Sequence, residues 1–141
     1  IIESGAHLGG SLYLLRKAAP EARIFSIDPR EEGLTNLGPN TPHFHDNSSK
    51  TVYFRGKQNF KDFAAIDWDS LIPKDERNDV LVMLDDHMSS LRRSKEMLER
   101  GFRAAWYDDN WINGDTYSFN KLCAPREPAD GDMVLIQDNF G

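Results

Sequence analysis

Five short apolar runs, IIES (1–4), ARIFSI (22–27), VYFR (52–55), DVLVML (79–84) and FRAAWY (102–107), constrain this chain more than any other feature. Each is rich in β-branched or aromatic residues and is closed by glycine, proline or acids, the pattern of a buried strand. They recur about every 20 to 30 residues. Strands separated by that much chain are joined by crossovers, which build a mainly parallel sheet with helices on both faces. The expected fold is therefore α/β, with ligands bound beyond the carboxyl ends of the strands.

The segments between the runs support this. After Ile1–Ser4 comes a glycine loop, Gly5–Gly10, and then Leu12, Leu14, Leu15, Ala18 and Ala19, which predict the apolar face of a helix capped by Ser11 and stopped by Pro20. The second run ends at Asp28-Pro29, where proline denies the ladder a donor. Residues 31–50 are rich in Gly, Pro, Asn and Ser and are expected to be a loop. FKDFAAIDWDSLI (60–72) predicts a short helix whose Phe60, Phe63 and Trp68 enter the core, and a further helix is expected over Ser90–Arg100, ending at Gly101. Trp106 and Tyr107 are assigned to the sheet core, and Trp111 to a substrate pocket. The tail from Asn113 is less regular, with a helical segment (114–124) and a sixth apolar run, MVLIQDNF (133–140).

At 141 residues and 39% hydrophobic, the chain has material for one core and is read as a single domain. The chain opens mid-strand, so it is also read as a fragment of a longer one, lacking part of the fold at its N-terminus. A net charge of −6, with 17 scattered basic residues, argues against nucleic acid as a partner. No apolar run approaches the roughly 18 residues of a membrane-spanning helix. The single cysteine, Cys123, cannot form an intrachain disulfide, which fits a reducing compartment such as the cytoplasm.

The stretch ESGAHLGGS (3–11) lacks both the G-x-G-x-x-G of a dinucleotide loop and the Gly-Lys-Ser/Thr ending of a phosphate loop. It offers Glu3, Gly5, Gly9, Gly10 and Ser11, with Asp28 closing the next strand. Glycines let a backbone approach a ligand closely, and an acid at that strand end can accept both hydroxyls of a ribose. An adenosine cofactor without a pyrophosphate fits. A plain strand-to-helix turn followed by a turn aspartate fits the same residues, and both readings stand at this point.

ESGAHLGGS resembles the first motif of class I S-adenosylmethionine-dependent methyltransferases, in the E-x-G-x-x-x-G-x-S form of the catechol and caffeoyl-coenzyme A O-methyltransferases. The resemblance covers residues 1 to about 114 and implies a Rossmann-like fold with a cofactor half (1–78) and a metal and substrate half (79–141). It implies cofactor contacts from Glu3, Gly5, His7, Gly9, Ser11 and Asp28, with Gln58 near the adenine. LDDH and DDNW fall at the ends of the fourth and fifth strands, where the family places metal ligands. The implied set is Asp86 (Asp85 the alternative), Asp109 and Asn110, and Gly114 sits one residue closer than a family glycine. Two carboxylates and an amide oxygen are hard ligands suited to Mg²⁺, which would acidify a hydroxyl of a small-molecule substrate for methyl transfer.

One departure concerns the general base: Ser89 stands where catechol O-methyltransferases carry a lysine, and no catalytic residue is assigned. The same strand ends are also similar to cephalosporin-hydroxylase-like proteins, with Asp108 and Asp109 as the acidic pair and a secondary metabolite or sugar as substrate. A methyltransferase fold retained as a non-catalytic scaffold is the alternative of a different class. Asp85 and Asp86 also suit a helix N-terminus, which attracts acids by itself. His43, His45 and Asp46 (PHFHD) have the makings of a metal clip, but a polar loop is the expected role.

Overall fold

The computed structural model describes residues 1–30 and 42–108. Within them the five runs form one sheet of strands β1 (Ile2–Ser4), β2 (Ile24–Asp28), β3 (Thr51–Arg55), β4 (Leu81–Leu84) and β5 (Ala104–Tyr107). Every neighbouring pair is parallel, in the order β3-β2-β1-β4-β5. The expected α/β fold with a parallel sheet is present. The chain steps outward from β1 to β3, then restarts on the other side of β1 with β4. Winding therefore reverses between β1 and β4, and crevices open at such reversals. Ser4 and Leu84, the last residues of these two strands, are register partners.

Helices α1 (Gly10–Ala18), α2 (Gly56–Asn59), α3 (Trp68–Leu71) and α4 (Ser90–Glu99) complete the described elements, with two 3-10 turns at Phe63–Ala65 and Lys74–Asp79. Strand alternation gives the sheet two chemically different faces. Ile2, Phe25, Ile27, Val82 and Leu84 pack with Phe63, Ile66, Trp68, Ile72, Met97 and Phe102 in one apolar cluster. Trp68 is its hub, with ring contacts to Phe25, Phe54, Phe63 and Phe102 at 5.4 to 6.4 Å. Its indole N–H donates to the Phe63 carbonyl at 2.9 Å, so no polar group is stranded by this burial. The opposite face carries Glu3, Ser26, Asp28 and Arg55, all buried, and α1 joins it through Ser11.

Several local expectations need correction. The N-cap of α1 is Gly9, in the left-handed region at φ 80° and with no side-chain cap, whereas Ser11 lies in the first turn and donates to Glu3. Leu14 is 66% exposed; the residues turned inward are Leu12, Leu15, Arg16 and Ala19. That i, i+3, i+4, i+7 set is the stripe a 3.6-residue period requires. Residues 60–72 form a 3-10 turn and the short α3, because Asp62 and Asp67 each cap a new turn and interrupt any longer helix. Phe63 and Trp68 are core, but Phe60 is 38% exposed. Trp106 is 57% exposed, since its register with Met83 and Glu3 turns it away from the apolar cluster. Tyr107 is partly buried against that cluster, as expected. Among the described residues no helix is long and apolar enough to cross a membrane. Trp111, Gly114 and the two tail segments lie outside the described residues.

Candidate functional site

The loop after β1 is bound tightly to its neighbours. The Gly5 amide donates to the Ile27 carbonyl at 2.8 Å, and at φ 98° a Cβ on Gly5 would lie 2.1 Å from the Asp85 carbonyl oxygen. Gly9 meets a different partner: a Cβ there would lie 2.2 Å from the Phe44 carbonyl oxygen. Phe44 is held over the loop by its amide bond to the Leu8 carbonyl at 2.8 Å and by an edge contact with Tyr13. A Cβ on Gly10 would meet nothing within 4 Å. Two of the three loop glycines thus answer to the chain's own backbone, and the third faces open space at the uncapped start of α1.

Asp28 is tied to this loop. Its Oδ2 accepts the His7 amide at 2.6 Å and Arg30 Nη2 at 2.9 Å, while Oδ1 accepts the Arg30 amide at 2.8 Å and Arg30 Nε at 2.9 Å. Burial alone would raise the carboxyl pKa, but the Arg30 and His7 bonds outweigh it and hold the pKa below its ordinary value. His7 itself is at φ 44° with its side chain exposed, and its carbonyl accepts Arg55 Nη2 at 2.7 Å. The His7 backbone, not its imidazole, joins loop and acid.

Glu3 is placed differently from the ligand contact that the resemblance implies. It is 0% exposed and accepts Ser11 Oγ at 2.6 Å and Ser26 Oγ at 3.1 Å, which ties β1 to both α1 and β2. Burial raises its pKa, with the two hydroxyls and Arg55 opposing. Gln58 is exposed on α2.

A cavity of about 100 Å³ opens at the ends of β1 and β4. Pro29, Phe60 and Met88 form apolar walls, and Asp62, Asp86 and Arg93 supply charge. Asp86 Oδ2 accepts Ser4 Oγ at 2.6 Å and Arg93 Nε at 2.8 Å, and Oδ1 accepts the Met88 amide at 3.1 Å. Arg93, only 3% exposed, also donates to both oxygens of Asp62 at 2.6 and 2.9 Å and to Glu96 at 2.6 Å. Burial opposes its charge, but these carboxylates hold its pKa above the ordinary value. A larger hollow of about 560 Å³ lies near Trp68 and Arg77, in segments that precede β4 and β5 and so away from the strands' carboxyl ends. Arg77 there is committed to the Ile72 and Arg100 carbonyls and to Asp69, which reads as a structural tie.

Of the expected metal ligands, Asp86 is described, whereas Asp109 and Asn110 lie outside the described residues. A guanidinium at 2.8 Å from Asp86 opposes a second cation on the same carboxylate. Among the described residues no three His, Cys, Asp or Glu side chains are grouped to hold a metal ion. Asp46 serves as a tie, accepting Arg16, Ser48 and Thr51, while His45 stacks on Tyr53 at 4.6 Å.

Sequence reasoning missed Arg30, Asp62, Ser4 and the role of Arg93. The Asp-Pro-Arg order at 28–30 is a usable signal for Arg30, because an aspartate in a turn accepts the backbone amide two residues on, as Asp28 does from Arg30, and this brings the arginine beside the acid. Nothing comparable links Asp62 to Arg93 across 31 residues. Comparison with known protein families, curated proteins and solved structures finds no match to this chain.

Proposed function

We propose that the chain is a Rossmann-like class I methyltransferase domain that binds S-adenosylmethionine at the carboxyl ends of β1, β2 and β4 and methylates a hydroxyl of a small molecule. The observation that carries this reading is the 2.6 Å bond from the His7 amide to Asp28. It makes the glycine loop and the strand-end acid one element, with the acid suited to a ribose diol and the loop backbone to the remainder of the cofactor. The 3-2-1-4-5 strand order supports it, as do the apolar side chains of Pro29, Phe60 and Met88 beside the ends of β1 and β4. When bound, the sulfonium cofactor supplies an electrophilic methyl group. The chain's own contribution is positioning: Asp28 and the loop fix the ligand's orientation, and a large share of the rate follows from alignment. Divalent-metal assistance by Asp86, Asp109 and Asn110 belongs to the same proposal and requires Asp86 to offer Oδ1, since Oδ2 already holds Ser4 and Arg93.

Calorimetry on the intact protein with S-adenosylmethionine and its demethylated product tests the reading. Binding is expected, with Asp28→Ala weakening it at least about tenfold, the loss of a charge-assisted bond pair. Absence of heat with both ligands refutes it. A second reading, a scaffold without turnover, is favoured by the saturation of Asp28 with donors from His7 and Arg30 and by the Arg93 guanidinium on Asp86. Cofactor binding with no methyl transfer to any of a panel of catechols, phenols and sugars supports that one.

A further inference from the structure

We infer that Arg30 is an internal competitor for the ribose site: it closes Asp28 and must swing away before a nucleoside binds. The inference rests on the cofactor reading above. Asp28 closes β2 at its carboxyl end, yet its side chain is 0% exposed. A carboxylate offers about four acceptor positions, and all four are filled, by the His7 amide, the Arg30 amide, Arg30 Nε and Arg30 Nη2. No ribose hydroxyl can reach it while that set is complete.

The four donors differ in what it costs to remove them. The His7 amide belongs to a loop held by Arg55 and by Gly5 on the Ile27 carbonyl, and the Arg30 amide belongs to the turn itself. The Arg30 guanidinium is 46% exposed on a flexible side chain, so rotation into water restores its solvation. Rotation frees one position on Oδ1, vacated by Nε, and one on Oδ2, vacated by Nη2. One acceptor on each oxygen is the pattern that a vicinal diol with two O–H donors fills. Arg93 on Asp86 is the contrast: at 3% exposure and with three carboxylate partners, it has no such freedom.

A site that is mostly closed binds with an affinity reduced by the open fraction. An ion pair with one exposed partner is weak, so removing it should tighten binding about fivefold, and salt should have the same effect by screening the pair. The test is calorimetry of wild type, Arg30→Gln and Arg30→Lys with S-adenosylhomocysteine, adenosine and 2′-deoxyadenosine at low and high NaCl, with thermal unfolding to confirm folding. Arg30→Gln is expected to bind the first two ligands about fivefold more tightly, and Arg30→Lys, which keeps the charge but loses the fork, to fall between. Wild-type affinity should rise with salt, that of Arg30→Gln should not, and 2′-deoxyadenosine should gain least. Binding by wild type with equal or weaker binding by Arg30→Gln overturns the inference and leaves the cofactor reading standing. Binding by neither protein removes both.

Discussion

The three glycines of the loop predict three different responses to alanine. At Gly5 the added methyl would lie 2.1 Å from the Asp85 carbonyl oxygen and 2.4 Å from its carbon, at φ 98°. The left-handed region costs an L residue about 1–2 kcal/mol, and overpacking against a fixed neighbour adds about 1–3 kcal/mol. Asp85 cannot give way easily, because its amide is bonded to the Ser4 carbonyl at 2.8 Å across the β1–β4 pair. Gly5→Ala should therefore lose about 3–4 kcal/mol, a large part of a typical domain's 5–15 kcal/mol. Gly9→Ala carries the same left-handed cost at φ 80° and meets the Phe44 carbonyl at 2.2 Å, but Phe44 lies in a covering segment outside the sheet that shifts more easily than Asp85, so a loss of about 2 kcal/mol is expected. Gly10→Ala meets nothing within 4 Å and sits in the first turn of α1, where alanine should stabilise by about 0.4–1 kcal/mol. Urea unfolding followed by circular dichroism gives all three values. A Gly5→Ala loss under about 1 kcal/mol, or equal losses at the three sites, would refute the reasoning that separates them.

Other outcomes follow from the buried charges. Arg93→Met leaves Asp62, Asp86 and Glu96 without their common cation and should cost about 3–5 kcal/mol at neutral pH, read by urea unfolding. The Arg93 hydrogen bond depresses the Asp62 pKa below 3.8 in the folded chain, so that contribution is present above 3.8 and is lost as pH falls through the folded value. The gap between wild type and Arg93→Met should accordingly narrow in acid; a gap independent of pH would contradict the ion-pair account. Glu3 has the opposite sign: burial raises its pKa above 4.5, so its protonated form favours folding below 4.5 and that advantage disappears as pH rises through the folded value. Stability of wild type relative to Glu3→Gln should decline over that rise, and a relative increase would show that Glu3 is instead stabilised as a carboxylate.

How much of the site was legible depended on range along the chain. Asp28, the glycine loop and the strand ends were readable because each lies within a few residues of the signal that marks it. The identity of the partners was not. Gly5 and Gly9 were expected to admit a ligand, yet their small size answers to Asp85 and Phe44, and a sequence does not say which backbone approaches a glycine. Asp86 was expected to face a cation from solution, and the cation beside it is Arg93. Glu3 was expected to touch a cofactor but is sealed beneath Ser11 and Ser26.

Periodicity and chain breaks are local properties, so the strand set, the parallel α/β architecture and the edge of the sheet where polar groups gather all follow from the order of residues alone. Which carboxylates are open and which are closed is settled by contacts between distant segments. Asp28 and Arg30 meet through a turn, but Asp62 and Arg93 meet across 31 residues, and Ser4 and Asp86 across 82. Hydrogen-bond saturation depends on distances of about 3 Å between such groups; the pairing of β1 with β4 sets the one between Ser4 and Asp86, and the seating of α4 beside the Asp62 turn sets the one between Asp62 and Arg93.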